Sequence, residues 1–280
     1  MAAQRTLLED APSVVVPINR VEGAHASRAD DLLAVEGALE IQLGPRSLSI
    51  TMRTPGNDFE LAAGFLYSEG IIRDRADIRS LRRPSDGSPD MVLVDLVEGE
   101  RPSPAHAERN FVMTSACGVC GKASLSDLEA NACPVLPRDD IQIEPAIIHG
   151  LPDQLRQAQS VFDRTGGLHA AARFSLRGEL ESVREDVGRH NAVDKLVGAA
   201  LLDHRLPLAR SILLVSGRAS FELVQKALMA GIPIMAAVGA PSSLAVATAE
   251  RAGMTLIGFL RNGRFNVYTG SHRILGLERP

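Results

Sequence analysis

Two cysteines three positions apart carry the strongest chemical signal in the chain. Cys117 and Cys120 form a Cys-x-x-Cys unit, and a glycine follows each of them. Such a unit serves as half of a zinc site, as a dithiol redox couple, or as a nucleophile beside a second thiol. Because glycines weaken both strands and helices, the unit is predicted to lie in an exposed loop. The nearby Lys122 favours the thiolate, which is the nucleophilic form of cysteine.

Several roles for this pair are open. A structural zinc site needs four ligands, and Cys133 is the only other cysteine, so histidines would have to complete it. His106 and Glu108 upstream imitate the His-x-Glu…Pro-Cys-x-x-Cys signature of zinc deaminases. Only eight residues separate Glu108 from Cys117, too few for the elements that join the two halves of that signature. A purely structural pair stays open, as does a thiolate that accepts sulfur as a persulfide and passes it on.

Composition restricts the classes of function. The 280 residues suffice for two ordinary domains, and the charges sum to 30 − 34 = −4, so no global basic field favours nucleic acid or a membrane surface. Glu9 and Asp10 interrupt the first residues, where a secretory signal would need an apolar run, so we expect a cytoplasmic protein. The uncharged stretch 227–249 contains Gly231 and Pro233 and is interpreted as buried helix and strand ends rather than a membrane span.

The first half is predicted to be an α+β domain over residues 31–135 that ends in the Cys-x-x-Cys loop. Residues 1–30 show no sustained hydrophobic period and are predicted to be a partly ordered arm. Asn57 and Glu60 have capping-box spacing and predict the start of a helix that ends before Gly70. The predicted elements are a hairpin over 33–53, a helix over 58–69, and strands over 91–97 and 110–114.

The second half, residues 136–280, alternates strands and helices. This alternation predicts an α/β domain with a mainly parallel sheet flanked by helices. The predicted helices are 152–164, 190–204, 220–230 and 242–252. The predicted strands are 168–176, 179–184, 211–215, 232–238, 254–260 and 264–268.

Further candidate residues lie at strand ends in this half. Ser216, Gly217 and Arg218 follow a strand at the edge where α/β sheets usually bind ligands. Arg261 and Arg264 flank a tight turn, either as solvated arginines or as two guanidinium groups that face one phosphate-bearing ligand.

The charged segment 184–195 allows two interpretations. It is either an ion-pair network at a helix start, or it brings Arg189 and His190 to the mouth of a pocket. His169 is predicted to be a buried, hydrogen-bonded histidine rather than a metal ligand. Cys133 is predicted to be a small core residue.

Five stretches of the sequence resemble the FdhD family, whose members are sulfur carriers required for formate dehydrogenase activity. They are 54–58 with 70–72, 114–122, 165–171, 184–195, and 216–218 with 258–264.

The resemblance implies a sulfurtransferase that takes persulfide sulfur from a cysteine desulfurase. It would deliver this sulfur to the molybdenum cofactor, bis-molybdopterin guanine dinucleotide, before insertion into formate dehydrogenase. Cys117 matches the persulfide-bearing cysteine of the family, and Cys120 matches the second. The expected contacts with this bound substrate are Phe259, Leu260, Arg261, Asn262, Gly263 and Arg264, together with Ser216, Gly217, Arg218 and His190.

The resemblance also implies a cytidine-deaminase-like fold for the second domain. His169 is followed by two alanines, so the proton-shuttling glutamate of a deaminase is missing, and no deamination or tightly bound metal ion is expected. The apolar helix faces of this half suit a homodimer. The alternative function is a non-catalytic chaperone that binds the cofactor and the apo formate dehydrogenase and keeps its cysteines for structure.

Overall fold

The computed structural model describes residues 11–97, 111–113 and 133–277. The first-half strands are β1 (Ser13–Glu22), β2 (His25–Ala34), β3 (Gly37–Leu43), β4 (Arg46–Arg53), β5 (Ile78–Arg82), β6 (Met91–Leu96) and β7 (Phe111–Met113). The remaining strands are β8 (His169–Ser175), β9 (Leu180–Asp186), β10 (Ser211–Val215), β11 (Ile234–Ala237), β12 (Thr255–Arg261) and β13 (Arg264–Thr269). The helices are α1 (Asp58–Ser68), α2 (Pro145–Ala158), α3 (Ser160–Thr165), α4 (Arg189–Leu202), α5 (Phe221–Met229) and α6 (Ser243–Ala252). None of the helices within these described ranges has the length and apolar character needed to cross a bilayer.

The first half contains a five-stranded sheet in the order β5-β6-β3-β4-β7. The predicted hairpin around Gly44 is confirmed as β3 and β4, and the predicted strands at 91–97 and 110–114 are confirmed as β6 and β7. Leu39 and Ile41 of β3 point to the same side and are fully buried against the apolar face of α1. This packing fixes the end of β4 beside the second half.

Residues 13–34 differ from the expected arm. Strands β1 and β2 pair residue by residue from Ser13 with Ala34 to Glu22 with His25. Val15 and Val21 remain more than half exposed, so the hairpin has no fully buried face. Because a strand that buries neither face carries little hydrophobic alternation, the sequence shows no signal for it.

The second half confirms the α/β class, but its sheet is mixed rather than mainly parallel. The strand order is β13-β12-β11-β10-β8-β9, and only β10, β11 and β12 run parallel to their neighbours in that group. Strands β8 and β9 are joined by a tight turn at Gly178, and β12 and β13 by a turn at Gly263. Such short turns can connect only antiparallel strands.

Two helix predictions need correction. Asn57 lies at the start of α1 with φ of 58° and makes no side-chain cap, so the predicted capping box with Glu60 does not form. Glu60 instead binds Arg184, with Nε–Oε2 at 2.6 Å and Nη2–Oε1 at 2.8 Å. The predicted helix 152–164 is two helices, α2 and α3, separated at Gln159, and Pro152 lies inside α2 rather than at its start.

Helices α1 and α4 join the two halves through a contact between backbones. An added Cβ at Gly64 would lie 1.9 Å from the carbonyl oxygen of Asp194, and one at Gly198 would lie 1.8 Å from that of Glu60. A side chain at either position would therefore force the helices apart. The division of the chain into domains at residues 135 and 136 stays a prediction.

Candidate functional site

The backbone segments that follow the parallel strands are hydrogen-bonded side by side at one edge of the second sheet. The Gly239 N–H donates to the carbonyl of Gly217 at 2.9 Å, and the Phe259 N–H donates to the carbonyl of Gly239 at 2.9 Å. The Ala170 N–H donates to Oγ of Ser216 at 2.9 Å. The structure thus brings together two of the predicted regions, 216–218 and the stretch that begins at Phe259.

Close backbone approach at this edge requires glycine. An added Cβ at Gly239 would lie 2.9 Å from the carbonyl oxygen of Gly217, and one at Gly258 would lie 2.8 Å from Cδ of Pro241. The sequence does not single out Gly239, whereas Gly258 begins the stretch 258–264 that resembles the family. The available signal was a glycine after β11, at a strand end equivalent to that of Gly217 after β10.

The turn between β12 and β13 presents polar groups to solvent. Arg261 pairs with Arg264 across the hairpin, and both side chains are exposed. The guanidinium carbon of Arg261 lies 5.8 Å from the ring centroid of Phe259, a cation–π distance. Phe259 and Asn262 adopt φ of 53° and 54°, which are uncommon for residues other than glycine. Leu260 lies in the apolar core, so its side chain does not face this surface.

His190 is buried and already engaged. Its Nε2 lies 3.3 Å from Oγ of Ser220 and 3.8 Å from Oε2 of Glu222, both at the start of α5. Burial opposes ionisation of Glu222, but the interactions with His190, the backbone and Ser220 outweigh it and lower the pKa of Glu222 to about 2. The Nε2 atom of His190 is therefore engaged within the protein and is not presented to a ligand. His190 contacts the start of α5 next to the site.

His169 lies beside Gly217 and differs from its expected role. An added Cβ at Gly217 would lie 3.4 Å from Nδ1 of His169. The side chain is half-buried, and within the described ranges its ring makes no hydrogen bond. Burial, Arg189 and His190 lower the pKa of His169, so the imidazole is neutral at pH 7.

Asp186 anchors the start of α4 next to this edge and is fully buried. Its Oδ1 accepts from the Gly188 N–H at 2.8 Å and from Nδ2 of Asn191 at 3.0 Å. Its Oδ2 accepts from the Thr54 N–H at 3.1 Å and lies 2.7 Å from Nζ of Lys195. The ion-pair interpretation of segment 184–195 is therefore confirmed for Asp186 and Lys195.

Strand β7 runs parallel to β4 toward the same region. Met113 pairs with Thr51, and Oγ1 of Thr51 donates to Oδ1 of Asn191 at 3.3 Å. Cys117 and Cys120, the residues predicted to carry the chemistry, lie outside the described residues. Cys133 is half-buried and packs against the core of the second half, as expected.

Comparison with known proteins gives a consistent result. A model of the FdhD/NarQ family matches residues 34–275. A sulfur carrier protein FdhD from Streptomyces coelicolor is 54% identical over 260 residues, covering 90% of this chain and 92% of that protein. One from Sulfolobus acidocaldarius is 45% identical over 259 residues, covering 92% and 97% respectively.

A solved structure supports the fold. The crystal structure of a protein assigned as a formate dehydrogenase accessory protein from Desulfotalea psychrophila superposes with a TM-score of 0.73 at 27% identity, covering 94% of this chain and 99% of that one. The family model's match over residues 34–275 spans both halves and every element of the site described above. The chain belongs to the FdhD/NarQ family.

Proposed function

We propose that the protein is a sulfur carrier that serves formate dehydrogenase. Cys117 accepts sulfane sulfur from a cysteine desulfurase and transfers it to bis-molybdopterin guanine dinucleotide before this cofactor is inserted into the enzyme. Two observations together support the proposal. The chain is 50% to 54% identical, over 90% or more of its length, to proteins named sulfur carrier protein FdhD, and it contains the Cys117-x-x-Cys120 unit.

Chain connectivity supports a role for Cys117 close to the site. Cys117 follows Met113 by four residues, and four residues of extended chain span at most ~14 Å. Met113 is paired with Thr51, which is hydrogen-bonded to Asn191 in the first turn of α4. Chain length therefore limits Cys117 to within ~14 Å of Met113, whose partner Thr51 contacts the first turn of α4.

Sulfur transfer takes place in two steps. The Cys117 thiolate attacks the terminal sulfur of the donor persulfide, so that a new S–S bond forms on Cys117 and the donor leaves as its thiolate. The Cys120 thiolate then attacks Sγ of Cys117 and releases hydrosulfide toward the molybdenum. In that second step the sulfane sulfur gains two electrons and the cysteines lose two as they form a disulfide, which a cellular dithiol must reduce before another cycle.

The cargo site is proposed at the edge formed by residues 216–218 and 259–264. Arg261 and Arg264 supply exposed guanidinium groups for phosphate oxygens, and Phe259 supplies a ring face for the flat guanine or pterin. The missing side chain of Gly217 leaves room for the His169 ring and the Arg189 stem at this edge. In this proposal the molybdenum cofactor is a transient substrate.

One experiment separates this function from the chaperone alternative. The purified protein is incubated with a cysteine desulfurase and cysteine, and peptides are examined by mass spectrometry for one added sulfur on Cys117. We expect loading of the wild type and of Cys133→Ala, and none of Cys117→Ala. An unloaded wild type that still binds the cofactor would support the chaperone and contradict the carrier.

We further propose that the protein is cytoplasmic and forms a homodimer. The hairpin β1–β2 leaves Val15, Val21 and Leu33 exposed, and an isolated two-stranded hairpin gains little stability on its own. Burial of these side chains against a second copy would stabilise it. Sedimentation of the wild type against Val15→Asp tests this: a monomeric wild type would contradict the dimer.

A further inference from the structure

The buried carboxamide of Asn191 joins the first turn of α4 to the end of β4. Asn191 is 4% exposed, and its Nδ2 donates to the Met52 carbonyl at 2.7 Å and to Oδ1 of Asp186 at 3.0 Å. Its Oδ1 accepts from Oγ1 of Thr51 at 3.3 Å. One side chain therefore bonds two successive residues of β4, one through its hydroxyl group and one through its backbone.

The surroundings of this carboxamide hold it in place. An added Cβ at Gly188 would lie 3.0 Å from Nδ2 and 3.2 Å from Cγ of Asn191, so the backbone at Gly188 packs closely against the amide group. Asp186 is itself fixed by the Thr54 N–H and by Lys195. An apolar side chain could fill this space but would supply neither the two donors nor the acceptor. The carboxamide therefore specifies where β4 lies along α4.

Strand β7 depends on β4 for its position. It lies at the edge of the five-stranded sheet, and among the described strands it pairs with β4 alone. Met113, its last residue, is the partner of Thr51, and the chain reaches Cys117 four residues later. The contact between Thr51 and Asn191 therefore lies beside the point from which the segment that carries Cys117 departs.

The same turn of α4 borders the proposed cargo site. His190, which precedes Asn191, has its Nε2 at 3.3 Å from Oγ of Ser220. We propose that Asn191 is a positioning residue for sulfur delivery, which holds β4, and with it the start of the segment that carries Cys117, at a fixed place relative to the second half. This inference rests on the proposed function and adds a residue to it.

Delivery and loading should respond differently to this contact. In delivery, the sulfur must meet an acceptor held by the second half, so that a shift of the anchoring strand by about 1 Å can slow the reaction by ~10²-fold. In loading, the desulfurase approaches from outside and needs only an accessible thiolate. Loss of the contact is therefore expected to slow delivery and to leave loading unchanged.

The test compares two variants of Thr51 with Asn191→Ala in the full chain. Thr51→Val keeps the shape of the side chain and loses the hydroxyl, whereas Thr51→Ser keeps the hydroxyl and loses the methyl group. Each protein is loaded by a cysteine desulfurase and cysteine, then mixed with bis-molybdopterin guanine dinucleotide and apo formate dehydrogenase, and the initial rate at which formate oxidation appears is measured. Thr51→Val and Asn191→Ala should deliver sulfur ~10- to 100-fold more slowly, and Thr51→Ser at the wild-type rate. All three should load Cys117 as fast as the wild type.

Tyr67→Phe is the control for a general loss of stability. It removes the hydrogen bond from the Tyr67 hydroxyl to the Met229 carbonyl at 3.0 Å, which also joins the two halves but lies at the C-terminal end of α1. This variant should deliver sulfur at the wild-type rate, and amide exchange of residues 111–113 should be faster in Thr51→Val than in Tyr67→Phe. If Asn191→Ala does not fold, Thr51→Val carries the test.

The possible outcomes separate the positioning role from the carrier function. Wild-type delivery by Thr51→Val would overturn the positioning role and leave the carrier function standing. An equal loss of delivery in Tyr67→Phe would assign the effect to stability and would also overturn it. A wild type that is never loaded on Cys117 would refute the proposed function, and the positioning role with it.

Discussion

Replacing Asp186 by asparagine should destabilise the fold far more than its isosteric shape suggests. Each carboxylate oxygen faces only hydrogen-bond donors. Oδ1 faces the Gly188 N–H and Asn191 Nδ2, and Oδ2 faces the Thr54 N–H and Lys195. In either orientation, the asparagine side chain would therefore direct its NH₂ group, itself a donor, toward other donors. The change also leaves Lys195, whose side chain is 2% exposed, without its counter-ion.

We expect Asp186→Asn to lower the free energy of unfolding by about 3–5 kcal/mol, the cost of breaking a buried ion pair from one side. Urea unfolding followed by circular dichroism gives this difference, with the slope checked for two-state behaviour. Asp203→Asn is the matched control, because Asp203 is 61% exposed and its change should stay within about 0.5 kcal/mol.

The double variant Asp186→Asn with Lys195→Met tests the same ion pair if the single variant expresses poorly. Removal of both charges should cost less than the sum of the single changes. A loss below about 1 kcal/mol for Asp186→Asn alone would refute the reasoning.

Three further predictions concern other parts of the molecule. Gly198→Ala should cost roughly 1–3 kcal/mol or more in urea unfolding, because its Cβ would lie 1.8 Å from the Glu60 carbonyl; an unchanged midpoint would contradict the close helix contact. Because the pKa of Glu222 falls from 4.5 to about 2 on folding, the stability advantage over Glu222→Gln should be complete above pH 4.5 and disappear as the pH falls toward 2; a constant difference would contradict it. Arg189→Gln should raise the pKa of His169, measured by NMR titration, because Arg189 contributes to its lowering; an unchanged pKa would place the guanidinium elsewhere.

Local sequence signals predict most elements of the second half and the hairpin around Gly44 in the first half. The alternation of strands and helices predicts a helix at 242–252, and it occurs as α6 with a cap in which Oγ of Ser242 accepts from the Ala245 N–H. The hairpin around Gly44 was predicted from alternation on one buried face. These elements form where each residue's neighbours in sequence already decide its conformation.

Contacts between distant residues account for what the sequence did not predict. Glu60 has capping-box spacing with Asn57, yet it binds Arg184, which lies 124 residues away. The same holds for the site: Gly217 was predicted, but the pairing of Gly239 with it depends on two strands whose order no local pattern specifies.

The crossing of α1 over α4 limits how the carrier can pass on its cargo. Lys195 reaches across it to the carbonyl of Thr54 at 2.8 Å, and Lys226 lies 3.7 Å from Glu69 of the other half. Hinge opening at this seam would remove one acceptor from each of two interior ammonium groups, although Lys195 would keep Asp186 and Lys226 would keep Asp194, and it would separate the two glycines. The two halves should consequently take part in the proposed sulfur transfer as one rigid body.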